Sequence, residues 1–221
     1  MNKKNPKNGT YTDFYKNGKK RVEQNYKDNL NHGKSTMWFA INDQKSFEVN
    51  YVNGTKEGRE INWHSNGQKD LETNYKNGNK HGKEIYWSRS GDKIKEINYK
   101  NNLLDGEFNG WFGDGTKKYE ASYILGVKEG KFKTWYWSNL KRSEEIFKNG
   151  VIQGIPKYWY PNGNEKTIDV VEAEARSDFY TDSTPPLKDL GFSDDQKFEY
   201  FMNYAGHEYD HHINTEYPHF R

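Results

Sequence analysis

The chain has 221 residues with a formal net charge of +2, no cysteine, 32% hydrophobic and 30% charged residues. The near-neutral balance argues against a dedicated phosphate-backbone binder, and the lack of cysteine removes disulfides, thiolate metal sites and thiol nucleophiles. So little apolar area seldom offsets chain entropy, yet seven Trp, 17 Tyr and 12 Phe supply large rings, which points to a thin molecule with a layer of aromatics.

Met1 to Pro6 is positive, but no apolar h-region follows it and no stretch approaches a membrane span, so a soluble, cytoplasmic protein without cofactors is expected. From Gly9 the chain repeats. Glycines recur at Gly33, Gly58, Gly82, Gly106, Gly130 and Gly154, at intervals of 24 or 25 residues, and define seven copies. Five positions after each glycine stands Phe14, Trp38, Trp63, Trp87, Trp111, Trp135 or Trp159. A first turn follows, as at Asn17-Gly18 and Asn66-Gly67, and then a lysine and a glutamate (Glu23, Glu48, Glu72, Glu96, Glu120, Glu144). A row of Tyr26, Tyr51, Tyr75, Tyr99, Tyr123 and Phe147 precedes a second turn, such as Asn53-Gly54 or Asn77-Gly78.

Asn-Gly between alternating residues signals hairpins, and both turns are expected to be type I′. The strand after the first turn alternates, with Leu71, Thr73 and Tyr75 on one side and Asp70, Glu72 and Asn74 on the other. The Trp and Tyr rows are read as one covered face and the Glu row as a solvated one. The expected fold is all-β: seven hairpin repeats over residues 1–171 forming an elongated antiparallel meander. Residues 172–221 add a short, partly helical segment.

A unit such as Gly58-Arg59-Glu60-Ile61-Asn62-Trp63 through Tyr75-Lys76-Asn77-Gly78 resembles the MORN repeat, closest to the bacterial variant of antitoxin-like proteins. The resemblance runs from about Gly9 to Val171. Copy two departs with Asn42-Asp43 at its first turn, copy six with Asn139-Leu140, and copy seven has Ile168 and Val171 for Glu and Tyr. The resemblance implies an extended sheet serving as a protein- or lipid-interaction platform, not an enzyme.

Past Val171, Glu172 to Arg176 reads as a short helix and Thr181 to Gly191, with Pro185-Pro186, as a linker. Ser193-Asp194-Asp195-Gln196 is a capping box for a helix with Phe198, Phe201 and Met202 on one face. His207-Glu208-Tyr209-Asp210-His211 matches the zinc-peptidase pattern, which makes His207 and His211 weak metal candidates. A catalytic zinc needs a third ligand and a shaped cleft, so a solvated His-rich tail is the preferred reading.

On the first strands, the positions opposite the Trp row are mostly polar in copies three and four. They become Phe108, Phe112, Phe132, Tyr136, Tyr158 and Tyr160 in copies five to seven, with Ile146 expected nearby. These rings are the candidate binding residues, with the C-terminal helix as their alternative cover. The expected function is a non-enzymatic protein-interaction scaffold, an antitoxin-like binder or a structural component of a larger, even viral, assembly. A carbohydrate-binding repeat module is the alternative, and a small metal-dependent hydrolase on the tail a lesser one. Lysines among the rings also suit single-stranded nucleic acid, but the charge balance disfavours it.

Overall fold

The computed structural model describes residues 7–167. The helices, linker and His-rich tail expected beyond Val171 lie outside them. The chain divides into two compact units, Met1–Glu165 and Lys166–Arg221, and the first is a single open antiparallel sheet. Copy one supplies β1 (Gly9–Phe14) and β2 (Lys20–Lys27), copy two β3 (Leu30–Trp38) and β4 (Lys45–Val52), and copy three β5 (Thr55–Trp63) and β6 (Lys69–Lys76). Copy four gives β7 (Asn79–Trp87) and β8 (Lys93–Lys100), and copy five β9 (Leu103–Trp111) and β10 (Lys117–Ile124). In copy six the first strand is broken at Glu129 into β11 (Val127–Lys128) and β12 (Gly130–Trp135), followed by β13 (Lys141–Lys148). Among the described residues copy seven contributes β14 (Val151–Ile152) and β15 (Lys157–Tyr158). Each strand pairs with its neighbour in sequence, apart from the two split ones: β11 and β12 both pair β10, and β14 and β15 both pair β13.

The two turns differ, which corrects the expectation of a common type I′. At the second turn both central residues have positive φ, as in Asn53 (49°) with Gly54 (82°) and Asn77 (50°) with Gly78 (78°), and this is type I′ geometry. At the first turn only Gly18 or its equivalent does, and the Gly18 amide donates to the Tyr15 carbonyl while the Tyr15 amide donates to Lys19. That longer loop ends in one left-handed residue, so Asp43 and Asn139 can stand where other copies have glycine. It also frees the asparagine side chain. Asn66 Oδ1 accepts from the Gln68 amide at 3.1 Å and its Nδ2 donates to Arg89 in the next copy at 2.6 Å, tying neighbouring hairpins together.

The seven period-marking glycines have a shared cause. All take positive φ, from 71° at Gly154 to 109° at Gly106. In copies two to five each sits where the register slips, as between Gln24↔Ser35 and Tyr26↔Asn31, and in copies two, four and five an asparagine bridges the bulge: Asn74 Nδ2 donates to the Lys83 carbonyl at 2.7 Å. A side chain there would be strained whatever the space around it.

Register also corrects the assignment of faces. Val22 pairs Met37, Gln24 pairs Ser35 and Thr73 pairs Glu84, so the Tyr row shares its face with the first-strand positions opposite the Trp row. The Trp row lies on the other face, with the glutamates: Glu72 pairs Ile61 on one side and Ile85 on the other. A one-layer sheet must cover both faces from its own side chains, and each carries one row of rings. The centre of the Tyr face is the better buried, with Val49, Thr73, Ile97, Ala121 and Glu145 in line. The Trp rings are half-buried.

Candidate interaction surface

The buried centre of the Tyr face is polar where a thicker protein would be aliphatic. Glu84, 1% exposed, forms an ion pair with Lys80 and accepts from the Thr73 hydroxyl at 3.0 Å and the Tyr86 hydroxyl at 2.9 Å. Burial, then the facing carboxylate, holds the Tyr86 phenol far above its ordinary value, and the same causes push Tyr99 up to about 12. Lys80 and Lys56 also lie over the Tyr99 and Tyr75 rings, at 5.0 and 4.8 Å from the centroids, and Lys56 pairs with Glu60.

From copy five onward this pair is rewritten. Leu104 and Phe108 replace Lys and Glu, and Phe108 stacks on Tyr119 at 5.2 Å with Tyr123 edge-on at 5.9 Å. Gly110 makes this possible: a Cβ there would fall 2.3 Å from the Tyr119 ring. In copy six the carboxylate moves to the neighbouring strand, where Glu145 pairs in register with Phe132 and Lys128 lies over both Phe132 (4.5 Å) and Phe147 (4.4 Å). Burial raises Glu145, which Lys128 and the Tyr158 hydroxyl only partly offset, and burial lowers Lys128 against the pull of Glu145.

These contacts divide the six rings singled out from the sequence. Phe108, Phe132 and Tyr158 pack on the Tyr face among their own repeat neighbours. Phe112, Tyr136 and Tyr160 sit at the first turns: Phe112 lies 5.3 Å from Trp137, and the Tyr136 hydroxyl donates to the Trp159 carbonyl at 2.8 Å. The last bond recurs as Tyr15 to Trp38 and His64 to Trp87, so it staples one copy to the next. All six are half-buried and form no single open patch. Ile146 pairs Lys131 and lies on the opposite, Trp-bearing face.

On that face the glutamates are less solvated than expected. Each from copy two onward is gripped by two cations, such as Lys34 and Lys45 on Glu48 or Lys131 and Lys141 on Glu144. The turn lysines also reach the Trp rings, at 5.0 Å from Lys20 to Trp38 and 4.9 Å from Lys141 to Trp159. A base or sugar stacking on these rings would meet those ammonium groups first. Copy five breaks the pattern, with Glu107 where the others have a cation, so Glu120 takes Lys133 at 2.8 Å. A shallow polar recess opens there, lined by Glu107, Asn109, Lys117 and Lys131.

An open apolar strip runs along the second-turn edge of copies five to seven, with a smaller one in copy two, where Leu30 and Val52 are exposed. Leu103, Ile124, Leu125, Val127 and Val151 are all exposed. The row is continuous across copies: Gly126 lies over Leu103 and Gly150 over Val127, with a Cβ on either coming within 3.7 and 3.3 Å of those side chains. At the same positions copies three and four present Lys76, Asn77, Lys100 and Asn101. Leu125 is the anomaly. It holds φ 48°, at the turn position where every other complete copy has Asn or Asp, and its side chain is 54% exposed. Left-handed φ costs a bulky residue about 1–2 kcal/mol, and so little burial does not repay it. Sequence reasoning missed this edge because it followed rings rather than aliphatics. The signal was present as Ile124-Leu125 in the slot of Lys-Asn.

Among the described residues no cluster of His, Asp and Glu could hold a metal ion, and no helix is long and apolar enough to cross a membrane. No protein-family model and no curated protein matches the chain.

Proposed function

We propose that the chain is a MORN-like repeat scaffold that binds a protein partner through the aliphatic turn edge of copies five to seven. The observation that carries this reading is Leu125. An exposed leucine in a left-handed turn position contributes little to folding, and strain without structural return is a mark of function. The surrounding Leu103, Ile124, Val127 and Val151 make a contiguous apolar strip, which soluble proteins seldom leave open without use. An antitoxin-like binder or a component of a larger assembly both need such a strip on a stiff sheet.

The test separates binding from folding. Leu125→Asn restores the turn residue of the other copies and Val127→Thr introduces the residue that copy three carries at Thr55, so the urea midpoint should stay level or rise. Partners captured by the wild-type chain from its native lysate should be lost from this variant at least tenfold. Equal capture by both proteins would remove the edge from the function.

A further inference from the structure

Independently of the aliphatic edge, we infer that the outer edge of β1 takes up an extended segment of a partner chain, patterned like this protein's own Lys-x2-Glu-x2-Tyr strands. Among the described residues β1 pairs only with β2, whereas its equivalents β3, β5, β7 and β9 each lie between two strands of that pattern. The open side is furnished as an interior one. The Lys7 carbonyl accepts from the Asn29 amide, as those of Lys56, Lys80 and Lys128 accept from the following turns, so Lys7 occupies the slot of those lysines. Inside the sheet that slot faces a tyrosine (Lys80 pairs Tyr75), in copies three to five the slot of Tyr11 faces a β-branched residue (Val49, Thr73 or Ile97), and the slot of Thr12 faces the glutamate (Ile85 pairs Glu72). Phe14 takes the slot of Trp38, which Lys20 of the preceding copy covers, yet it stands 53% exposed.

Strand addition supplies main-chain hydrogen bonds along the edge, and alternate side chains set the specificity. The incoming strand runs antiparallel to β1, with an aromatic ring over Lys7, a β-branched residue against Tyr11 and a carboxylate against Thr12. Among the described residues a second copy has no such strand to lend. β2, β4, β6, β8, β10 and β13 are each paired on both sides.

The probe is a labelled peptide with the sequence of residues 69–78, titrated into the full chain and followed by fluorescence anisotropy. Saturable one-to-one binding is expected, absent for a shuffled peptide of the same composition. Thr12→Lys puts a cation opposite the peptide glutamate and beside the chain's own Glu23, so it should not impair folding. An opposite-charge pair across strands strengthens binding and a like pair weakens it. The variant should bind the peptide about two- to five-fold more tightly, and a peptide with that glutamate changed to lysine about two- to five-fold more weakly. No saturable binding, equal binding of the shuffled peptide, or indifference to Thr12→Lys would each overturn the inference. So would self-association of the chain that the peptide fails to compete. Leu125→Asn should leave this titration unchanged, which keeps a failure here distinct from a failure at the aliphatic edge.

Discussion

Glu84→Ala probes the polar centre of the Tyr face most directly. The substitution strips Lys80, Thr73 and Tyr86 of a shared acceptor at one of the most buried positions of the sheet. Removing one partner of a buried ion pair typically costs ~3–5 kcal/mol, because the other charge is left uncompensated. Lys80 keeps 33% of its side chain exposed and can turn its ammonium to water, which favours the lower end, ~3 kcal/mol. The informative control is Lys80→Leu with Glu84→Leu, which imitates the apolar pair that copy five already uses at Leu104 and Phe108. With no charge left unpaired, the double variant should recover all but ~1 kcal/mol. Urea unfolding followed by Trp fluorescence gives the total. Amide hydrogen exchange across β6, β7 and β8 gives the local share, since a repeat array need not unfold all at once. A loss below ~1 kcal/mol for Glu84→Ala, or a double variant no better than the single, would refute the view that this pair is stabilised by mutual compensation.

Gly110→Ala should cost ~1–3 kcal/mol by driving the Tyr119 ring off Phe108, and Tyr119→Ala in the same chain should make the alanine nearly silent; calorimetry on the four proteins measures the coupling. Trp87→Ala removes a half-buried ring with one lysine over it, so ~1.5–3 kcal/mol is expected on chemical denaturation rather than the ~3–5 kcal/mol of a core ring. Acid should weaken the sheet in a defined window. Burial works against the charge on Glu48, Glu96 and Glu120, but their paired lysines outweigh it and hold all three below the ordinary value, while Lys141 and Lys131 draw Glu144 down from 4.5 to about 2. The unfolded chain therefore takes up protons first, and the stability from these pairs is whole above about pH 5 and lost as pH falls toward about 2. Melting temperatures that stay level across that range would contradict the pairing.

The period, the strand pairs and the second turn were legible in the sequence because they depend on local chemistry. Asn-Gly at the second turn demands two left-handed residues, the glycine five positions before each Trp marks a bulge, and alternation along β6 separates Leu71 and Thr73 from Asp70 and Glu72. All of these act within a few residues of chain. Which rows share a face was not legible, since alternation sorts side chains within one strand and says nothing about phase across a turn. The pairing of Thr73 with Glu84 and of Glu72 with Ile85 is set by loop length and by bulges, and one residue of slip exchanges the two faces. The same pairing buries Glu60 and Glu84: Lys56 and Lys80, four residues earlier on the same strand, supply the countercharge, but the Thr73 hydroxyl that bonds Glu84 comes from the neighbouring strand and is placed there only by the register. Leu125 needed both levels: its place in the period is written in the chain, but its exposure and strained φ exist only once the turn is folded onto the edge of its neighbours.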